Sequence, residues 1–483
     1  MWRKTVIKER KKSFAKNYIF NLLYQVISLA LPLITTPYLS RILGADGIGQ
    51  YSFAQSIVSY FALAAALGTT LYGQRQIARV NSDPEERSRL FWEIFLFRVV
   101  GVTTAALIYC FTILPIYSEH ALLYVVAAIE ILAVAFDVTW FYQGMEDFRP
   151  IAICTAVGRL LAMVAIFVFV KDKNDLIVYV ICYCVSILLG NVTAWKDLRR
   201  YLVKTRLKGL RIRKHFMPAV SLFSSQFAIQ IYTVLDKTMI GLITRSDFEN
   251  GYYEQSQKLI KVLIALVTSL GVVVASRVTV LWKEEKKKDV YDLIYGSFRF
   301  VFALGMPMAV GCMLVLSRFV PIFYGTGFEP VIPIISILVF MFPVLGCSNV
   351  IGIQLLVPTG REKKLTASVI VGACVNVVLN AFLIYFFAAM GAAIASVIAE
   401  IAVTSVQFWF VRKEIRLGGV IKIFLRYTLF TAVMGAVGLL VLTFAPGGIL
   451  GIAVIAAICV TVYSALLLVT KDPVFAFFKN TRS

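Results

Sequence analysis

Ionisable side chains recur inside long apolar stretches of this sequence. An ionised group at the centre of a bilayer costs about 2.5 to 3.5 kcal/mol on insertion scales, so these residues indicate an internal, hydrated cavity. Cations outnumber acids there, which favours an anionic ligand over a cationic one. The cations are Arg98, Arg159, Lys237, Lys258, Lys261 and Arg299, and the acids are Glu130, Asp137, Asp236, Glu254 and Glu400.

Polar and charged residues form stripes in four of the apolar stretches. Steps of three and four residues place each set on one helical face. Hydrogen bonding between helices explains any single stripe, whereas four together favour a shared cavity. Arg suits bidentate and Lys point-charge contact with phosphate, so a diphosphate head group matches this chemistry. The stripes are Asn17, Asn21, Gln25, Ser28 and Thr35; Ser52, Gln55, Ser56 and Ser59; Gln226, Gln230, Thr233 and Lys237; and Glu254, Lys258 and Lys261.

Some of these charges have a second interpretation. Arg98 and Arg299 lie near enough to the ends of their stretches to extend to the membrane interface. Glu254 precedes Lys258 by four residues, so neutralisation by a helical ion pair competes with a proton-linked switch. We take four acids as candidates for coupling to H+ or Na+: Asp137, Asp236, Glu254 and Glu400.

The elements that carry these residues are predicted to be membrane-spanning helices. With 59% hydrophobic residues and mean hydropathy +0.82, the 483-residue chain has more apolar surface than a water-soluble core could bury. We predict an all-α integral membrane protein with about fourteen transmembrane helices and no removed signal peptide. The apolar stretches are 16–37, 48–71, 90–114, 119–142, 151–170, 175–195, 217–243, 252–280, 291–316, 328–356, 365–387, 390–411, 421–445 and 449–470.

The net charge of +21 is distributed unevenly. Most basic residues fall in alternate loops, which by the positive-inside rule predicts a multi-pass protein with both termini in the cytoplasm. The longest basic segment, 196–214, lacks the interleaved aromatic residues of a base-stacking surface, so we predict no nucleic-acid partner. Such a segment is typical of a loop that lies against anionic lipid head groups.

Several classes of site are not indicated. The eight cysteines lie in apolar stretches and the two histidines, His120 and His215, in loops on opposite faces, so we expect neither disulfides, nor a metal site, nor a cofactor. The sequence contains no G-x-x-x-x-G-K-[S/T] loop, the phosphate-binding motif typical of a nucleotide-driven pump, so we do not expect such a pump. The external loops are short and carry no paired carboxylates, which disfavours an enzyme such as a membrane polymerase.

An internal repeat organises the chain. Gly49, Tyr51, Ala54 and Gln55 recur as Gly251, Tyr253, Ser256 and Gln257 at the start of the second and eighth predicted spans. The even number of spans between the copies predicts two parallel lobes. We therefore divide the chain into a six-helix lobe at 1–215, a second at 216–415, and an additional helix pair with a cytoplasmic tail at 416–483. That nearly uncharged pair either packs on the bundle or offers an apolar surface for a long lipid tail.

Further motifs resemble a known family. The segments 17–32, 37–44 and 49–51, then 140–148, and Leu235-Asp236-Lys237 with 251–254, are similar to bacterial polysaccharide flippases of the multidrug/oligosaccharidyl-lipid/polysaccharide exporter superfamily. The resemblance implies two pseudo-symmetric six-helix lobes around a central cavity. It also implies alternating access that carries an undecaprenyl-diphosphate-linked oligosaccharide across the bacterial cytoplasmic membrane, with ion-gradient coupling and other polysaccharide-assembly membrane proteins as possible partners.

The resemblance also places residues. It implies Arg41 at the external mouth, and Lys237, Lys258 and Lys261 in the cavity of the second lobe, while the final pair of spans resembles a lipid groove. The first lobe has no mid-span cation on its first two helices, which weakens the expectation of a symmetric phosphate clamp. The predicted substrate-binding residues are Arg41, Asn21, Gln25, Gln55, Arg98, Arg159, Gln226, Gln230, Lys237, Lys258, Lys261 and Arg299.

Rival functions remain at this stage. A peptidoglycan-precursor flippase or a drug/cation antiporter of the same fold is the nearest alternative, distinguished by whether transport needs the cations or the acids. A membrane polysaccharide polymerase is the alternative from another class.

Overall fold

The apolar stretches fold as α-helices, because a helix satisfies its own backbone hydrogen bonds within a bilayer. A computed structural model describes residues 2–205 and 209–475, without the side chains of 2–30, 224–226, 228–229 and 231–232. The described residues contain helices, short turns and no β-strand. The predicted all-α membrane class is confirmed.

The chain divides into two compact units, Met1–Thr238 and Met239–Ser483, with the division inside one helix. The first unit contains α1 Trp2–Ala66, α2 Thr69–Arg79, α3 Pro84–Ile116, α4 Ala121–Ala127, α5 Ile129–Phe136, α6 Thr139–Gly144, α7 Arg149–Phe169, α8 Leu176–Leu198 and most of α9 Phe216–Thr244. The second contains α10 Asp247–Val267, α11 Gly271–Lys283, α12 Lys287–Tyr324, α13 Val331–Leu338, α14 Met341–Ile351, α15 Glu362–Val411, α16 Leu417–Phe444 and α17 Gly448–Val469.

Eleven helical segments of the described chain are long and apolar enough to cross a membrane. Two of them contain a break in the backbone: Gly44 in α1 has φ 69° and Ala388 in α15 has φ 47°. Each break lies between two of the predicted spans, so each pair of predicted spans is joined through a break in the helical backbone and not through a separate loop. Part of α9, which matches the stretch 217–243, lies outside the residues whose side chains the structure describes, and the number fourteen stays a prediction.

The break in α15 is held by close packing. Glu249 accepts a hydrogen bond from the backbone N–H of Ala389 at 3.0 Å, which supplies a partner where the helical pattern restarts. A Cβ placed on Gly391 would lie 2.0 Å from the carbonyl oxygen of Leu383. Only glycine therefore fits this turn without a backbone shift.

Gly391→Ala should destabilise the second unit by about 2 kcal/mol, because overpacking against backbone forces the chain to move. The measurement is the apparent melting temperature of the purified protein in detergent. Gly418→Ala is the matched control, since a Cβ on Gly418 meets nothing within 4 Å. Equal melting temperatures for the two variants would show that the turn relaxes without cost.

The final helix pair packs against α12. A Cβ on Gly438 would lie 2.4 Å from Leu314 Cδ1 and 2.9 Å from Cys459 Sγ, so the small residue allows the three helices to approach closely. The Arg318 guanidinium donates to the carbonyl oxygens of Pro446 and Leu442 at 2.8 and 3.0 Å and caps the end of α16. The opposite surface of the pair is apolar and exposed, at Leu440, Phe444, Ile449, Leu450, Val460 and Val469.

Candidate functional site

The first copy of the repeat builds a buried polar cluster in the first unit. Tyr51 is 5% exposed and its hydroxyl donates to Glu130 Oε1 at 2.8 Å. The Cys184 thiol lies 3.8 Å from the same oxygen, and the Gln55 side chain also hydrogen-bonds Glu130. The Tyr51 ring packs edge-on against Tyr179 at 5.3 Å. An acid carried by α5 is thereby surrounded by donors from α1 and α8.

The second copy builds a corresponding cluster in the second unit. Tyr253 is 1% exposed, and its hydroxyl lies 3.1 Å from Ser396 Oγ on α15. The Gln257 side-chain amide donates to the Tyr253 hydroxyl at 2.8 Å. The repeated tyrosine is therefore buried in both units, where it binds a polar group of another helix. The partner is a carboxyl group in the first unit and a hydroxyl in the second.

Two residues predicted for different roles form one ion pair. Arg98 is 2% exposed, and its Nη2 donates to Asp137 Oδ2 at 2.9 Å. The second oxygen of Asp137 accepts from the backbone N–H of Thr139 at 2.9 Å, just after the end of α5. Among the described residues, Arg98 Nε and Nη1 have no hydrogen-bond partner. The Arg98 side chain is therefore enclosed by protein, beside a partly exposed Asp137.

The end of α9 is bound to α1 by hydroxyl groups within the first unit. Thr238 Oγ1 donates to Ser56 Oγ at 2.9 Å and lies 3.0 Å from the Tyr60 hydroxyl. Here a stripe residue forms a hydrogen bond between helices, the simpler of its two interpretations. Beside Thr238, Asp236 is 7% exposed and Lys237 is half-buried.

The predicted cationic stripe of α10 begins in the protein interior and ends at its surface. Glu254 is 8% exposed, and its Oε1 lies 3.4 Å from Lys258 Nζ. Lys258 is half-buried, whereas Lys261, one turn further on, is exposed. The charges of this stripe therefore follow a gradient from a buried acid to an exposed base. Elsewhere in the unit, Glu400 is 5% exposed and Arg299 is half-buried.

Other predicted residues occupy varied environments. Arg41 is exposed and lies one turn before the break at Gly44. Gln55, Arg159 and Gln230 are half-buried. The side chains of Asn21, Gln25 and Gln226 lie outside the described residues.

Buried amides of α15 were missed by the sequence interpretation. Asn380 Nδ2 donates to Asn376 Oδ1 at 3.1 Å, and both residues are at most 1% exposed. Further along, Gln407 Nε2 donates to Ser368 Oγ at 3.3 Å. The spacing of four between Asn376 and Asn380 is a helical signal that reading the polar stripes of the eleventh span would have found.

A second missed cluster fixes the segment between α8 and α9 to the first unit. The Glu93 side chain is fully buried and accepts from the Arg211 backbone N–H at 2.9 Å, Lys214 Nζ at 2.5 Å and His215 Nε2 at 3.0 Å. On the other side of the imidazole, His215 Nδ1 lies 2.8 Å from the Tyr72 hydroxyl. One neutral tautomer satisfies both contacts, with Nε2–H donating to the carboxylate and the tyrosine hydroxyl donating to Nδ1. We call Glu93, Lys214, His215 and Tyr72 the linker clasp.

Burial lowers the pKa of His215 and outweighs the Glu93 carboxylate, which raises it. The clasped state therefore holds fewer protons than the released state below about pH 6.5, the ordinary histidine pKa. Its stabilisation is complete above that pH and is lost as the pH falls toward the lowered value. We expect the apparent melting temperature to fall between pH 7.5 and 5.5, and to fall less in His215→Gln. Parallel curves for the two proteins would contradict a contribution from His215.

The chain is similar to known proteins. Residues 14–276, more than half of the sequence, match the family described as polysaccharide biosynthesis protein. The chain belongs to this family. A protein of Escherichia coli (strain K12), named for O-antigen transport, is 23% identical over 408 residues, 84% of this chain and 98% of its own length. The Lipid II flippase MurJ of Bacillus subtilis (strain 168) is 21% identical over 467 residues, 85% of this chain and 84% of its own length.

Solved structures show the same fold. The Lipid II flippase MurJ in an inward closed conformation matches 94% of this chain and 99% of its own, with TM-score 0.78 and 16% identity. An inward-facing multidrug resistance MATE family transporter of the MOP superfamily matches 83% and 96%, with TM-score 0.61 and 13% identity. The resemblance predicted from the sequence is confirmed. The chain is a multi-pass membrane protein of the polysaccharide biosynthesis protein family, with the fold of these flippase and transporter structures.

Proposed function

We propose that the protein is a flippase that carries an undecaprenyl-diphosphate-linked oligosaccharide across the bacterial cytoplasmic membrane by alternating access. The arrangement that carries the proposal is the charge gradient of α10, where Lys258 and Lys261 follow the buried Glu254 and lead into the apolar run 262–267. Lysine ammonium groups in a membrane helix are costly unless an anion or water accompanies them. A diphosphate supplies that anion.

The names of the relatives support the substrate class. One is named for O-antigen transport and another for flipping lipid II, which are both saccharide-bearing substrates of membrane transport. In the proposed cycle the protein makes and breaks no covalent bond, since the substrate crosses unchanged. Both chain termini are proposed to lie in the cytoplasm, where the basic loops favour them. Other polysaccharide-assembly membrane proteins are proposed partners.

The final helix pair is proposed to contact the polyprenyl tail. Its exposed surface is continuous in apolar character at Leu440, Phe444 and Leu450, and it carries no charged side chain there. A tail that stays in contact with lipid while its head group crosses loses no hydrophobic burial. The saccharide and diphosphate then pass through the polar interior alone.

Glu254 is proposed as the proton-coupling acid, with Asp137, Asp236 and Glu400 as the other candidates. It lies next to a cation that we assign to the substrate, so protonation of Glu254 would alter the charge that the diphosphate meets. Glu254→Gln should remove the acceleration of transport by a proton gradient and flatten its pH dependence, measured as initial rates in liposomes. A variant with the rate and pH profile of the native protein would exclude this role, and Asp137→Asn provides the comparison for an acid already paired with Arg98.

The decisive experiment is reconstitution into liposomes that contain an undecaprenyl-diphosphate oligosaccharide in one leaflet. Its appearance in the other leaflet is followed with an impermeant glycosidase, with and without a proton gradient. Protein-dependent transfer supports the proposal, and failure with several such lipids overturns it. Lipid II in the same assay tests the peptidoglycan-precursor alternative that the Bacillus subtilis relative favours. Efflux of a cationic dye without lipid transfer would indicate the antiporter alternative.

A further inference from the structure

A cavity of about 700 Å³ lies in the first unit, where α3, the end of α8 and the following segment meet. Its wall combines two indoles, Trp92 and Trp195, with the apolar side chains of Leu198, Leu202 and Val203. Three basic residues complete the lining: Lys196, Arg199 and Lys204. The cavity is separate from the polar clusters around Glu130 and Tyr253, and it does not depend on what the protein transports.

The aromatic wall is fixed in place. Trp195 Nε1 donates to the Phe136 carbonyl oxygen at 2.8 Å, which sets the orientation of its ring. The Trp195 ring packs edge-on against Phe95 at 4.9 Å, and Phe95 packs against Trp92 at 5.7 Å. Half-buried indoles with one anchored edge are typical of the depth at which bilayer and water meet.

The segment after α8 is also held against α3. The Arg87 guanidinium donates to the Tyr201 carbonyl oxygen through Nη2 at 2.5 Å and Nε at 3.2 Å. The backbone N–H of Val203 donates to Ser88 Oγ at 2.9 Å, and the Tyr201 hydroxyl donates to Asp147 Oδ2 at 2.5 Å. The basic residues of this segment are therefore presented by a bound backbone and not by a free loop.

The three cations of the cavity are not neutralised by neighbouring acids. Lys196, Arg199 and Lys204 are exposed, and within the described residues none forms an ion pair. The nearest acid in sequence, Asp197, pairs instead with Arg200 at 3.4 Å. Three positive charges thus surround a cavity whose other surfaces are aromatic and aliphatic.

We propose that this cavity binds the head group of an anionic phospholipid. The phosphodiester would lie among Lys196, Arg199 and Lys204, since ammonium and guanidinium groups are the standard phosphate partners. The glycerol and first acyl carbons would lie against Trp92, Trp195 and Leu202, which accounts for an apolar wall beside the charges. With the proposed orientation, in which the basic loops lie in the cytoplasm, the cavity would lie at the cytoplasmic leaflet. That leaflet carries the anionic lipids. The bound lipid would hold the segment between α8 and α9 in the first unit.

Native mass spectrometry tests the proposal on the delipidated full-length protein, titrated with phosphatidylglycerol or phosphatidylcholine. We expect at least tenfold tighter binding of phosphatidylglycerol, and loss of that preference in the triple variant Lys196→Ala, Arg199→Ala, Lys204→Ala. The matched control removes three exposed lysines elsewhere on the same predicted face, Lys283, Lys287 and Lys288, and should keep the preference within about twofold of the native protein. Equal binding of the two lipids, or equal loss in both triple variants, would overturn the site.

A second measurement locates the lipid. Brominated phosphatidylglycerol should quench indole fluorescence more strongly than brominated phosphatidylcholine, and Trp92→Phe with Trp195→Phe should abolish the difference. Unchanged quenching in that double variant would place the lipid elsewhere. Glycerol phosphate is titrated alongside, and binding as tight as that of the phospholipid would assign the cavity to a soluble phosphate ester instead.

Discussion

Replacing Lys258 and Lys261 together by alanine should slow the translocation of a diphosphate-linked oligosaccharide at least tenfold. A charge-assisted hydrogen bond contributes about 1.5 to 3 kcal/mol, so the loss of two contacts to phosphate exceeds the 1.4 kcal/mol that corresponds to a factor of ten. The measurement is the initial rate of lipid transfer in liposomes at fixed protein density. The double variant Lys258→Arg, Lys261→Arg keeps both charges and should retain most of the rate.

The ion pair with Glu254 gives the single substitution Lys258→Ala two separate effects. Lys258→Ala leaves the Glu254 carboxylate buried without its neighbour at 3.4 Å, which costs stability independently of any substrate. Lys258→Gln combined with Glu254→Gln removes both charges and separates the two effects. If the lysines bind diphosphate, this neutral pair should fold normally and transport poorly. Native rates in both the alanine variant and the neutral pair would remove these lysines from the substrate path.

Hydropathy was sufficient to predict the helical membrane class, because about twenty apolar residues in succession have few other stable conformations. It was less informative where two spans meet without a long loop. The sequence pattern is the same whether the spans that meet at Gly44 or at Ala388 are joined by a loop or by a break in the helical backbone. At the second break, the Glu249 carboxylate accepts from the backbone N–H of Ala389, 140 residues further along the chain, and caps the restarted helix.

The repeat motif located the buried tyrosines but not their partners. Tyr51 and Tyr253 share a sequence pattern, yet one binds Glu130 and the other Ser396, which lie in different helices of different sequence. Charge spacing along one helix was informative, since Glu254 and Lys258 do pair. An ion pair between two helices has no characteristic spacing in the sequence, so it was not predicted. Arg98 and Asp137 were assigned separate roles because nothing in one dimension indicates that they are in contact.

The linker clasp shows the same limit on a larger scale. Glu93 and His215 are 122 residues apart, and each has an ordinary local interpretation as a helix-end acid or a loop histidine. Only the packing of α3 against the segment before α9 creates a buried carboxylate with three donors from that segment. The basic composition of 196–214 predicts a segment that lies against anionic lipid head groups, but composition alone does not distinguish a free loop from a bound one.

Glu93→Gln should therefore destabilise the first unit by about 1.5 to 3 kcal/mol, the range for a hydrogen bond to a charged group, because the carboxylate is fully buried while its partner Lys214 is 47% exposed. The Gln amide keeps the shape of the side chain but removes the negative charge that binds Lys214 and the Arg211 N–H. Its NH2 group is itself a donor and cannot accept a hydrogen bond from them. The readouts are the apparent melting temperature and the rate of tryptic cleavage between Arg199 and Lys214 at pH 7.5.

The melting temperature should fall and the cleavage rate should rise together, because release of the segment exposes its basic residues to trypsin before the helices unfold. Arg89→Ala is the matched control: it removes a cation 3.3 Å from the same carboxylate, but Arg89 is 49% exposed and such pairs contribute at most about 1 kcal/mol. Rapid cleavage in Glu93→Gln with slow cleavage in Arg89→Ala places the binding energy of the segment in the buried carboxylate. Slow cleavage in both would mean that Arg87 and Ser88, which bind Tyr201 and Val203, hold the segment without the clasp.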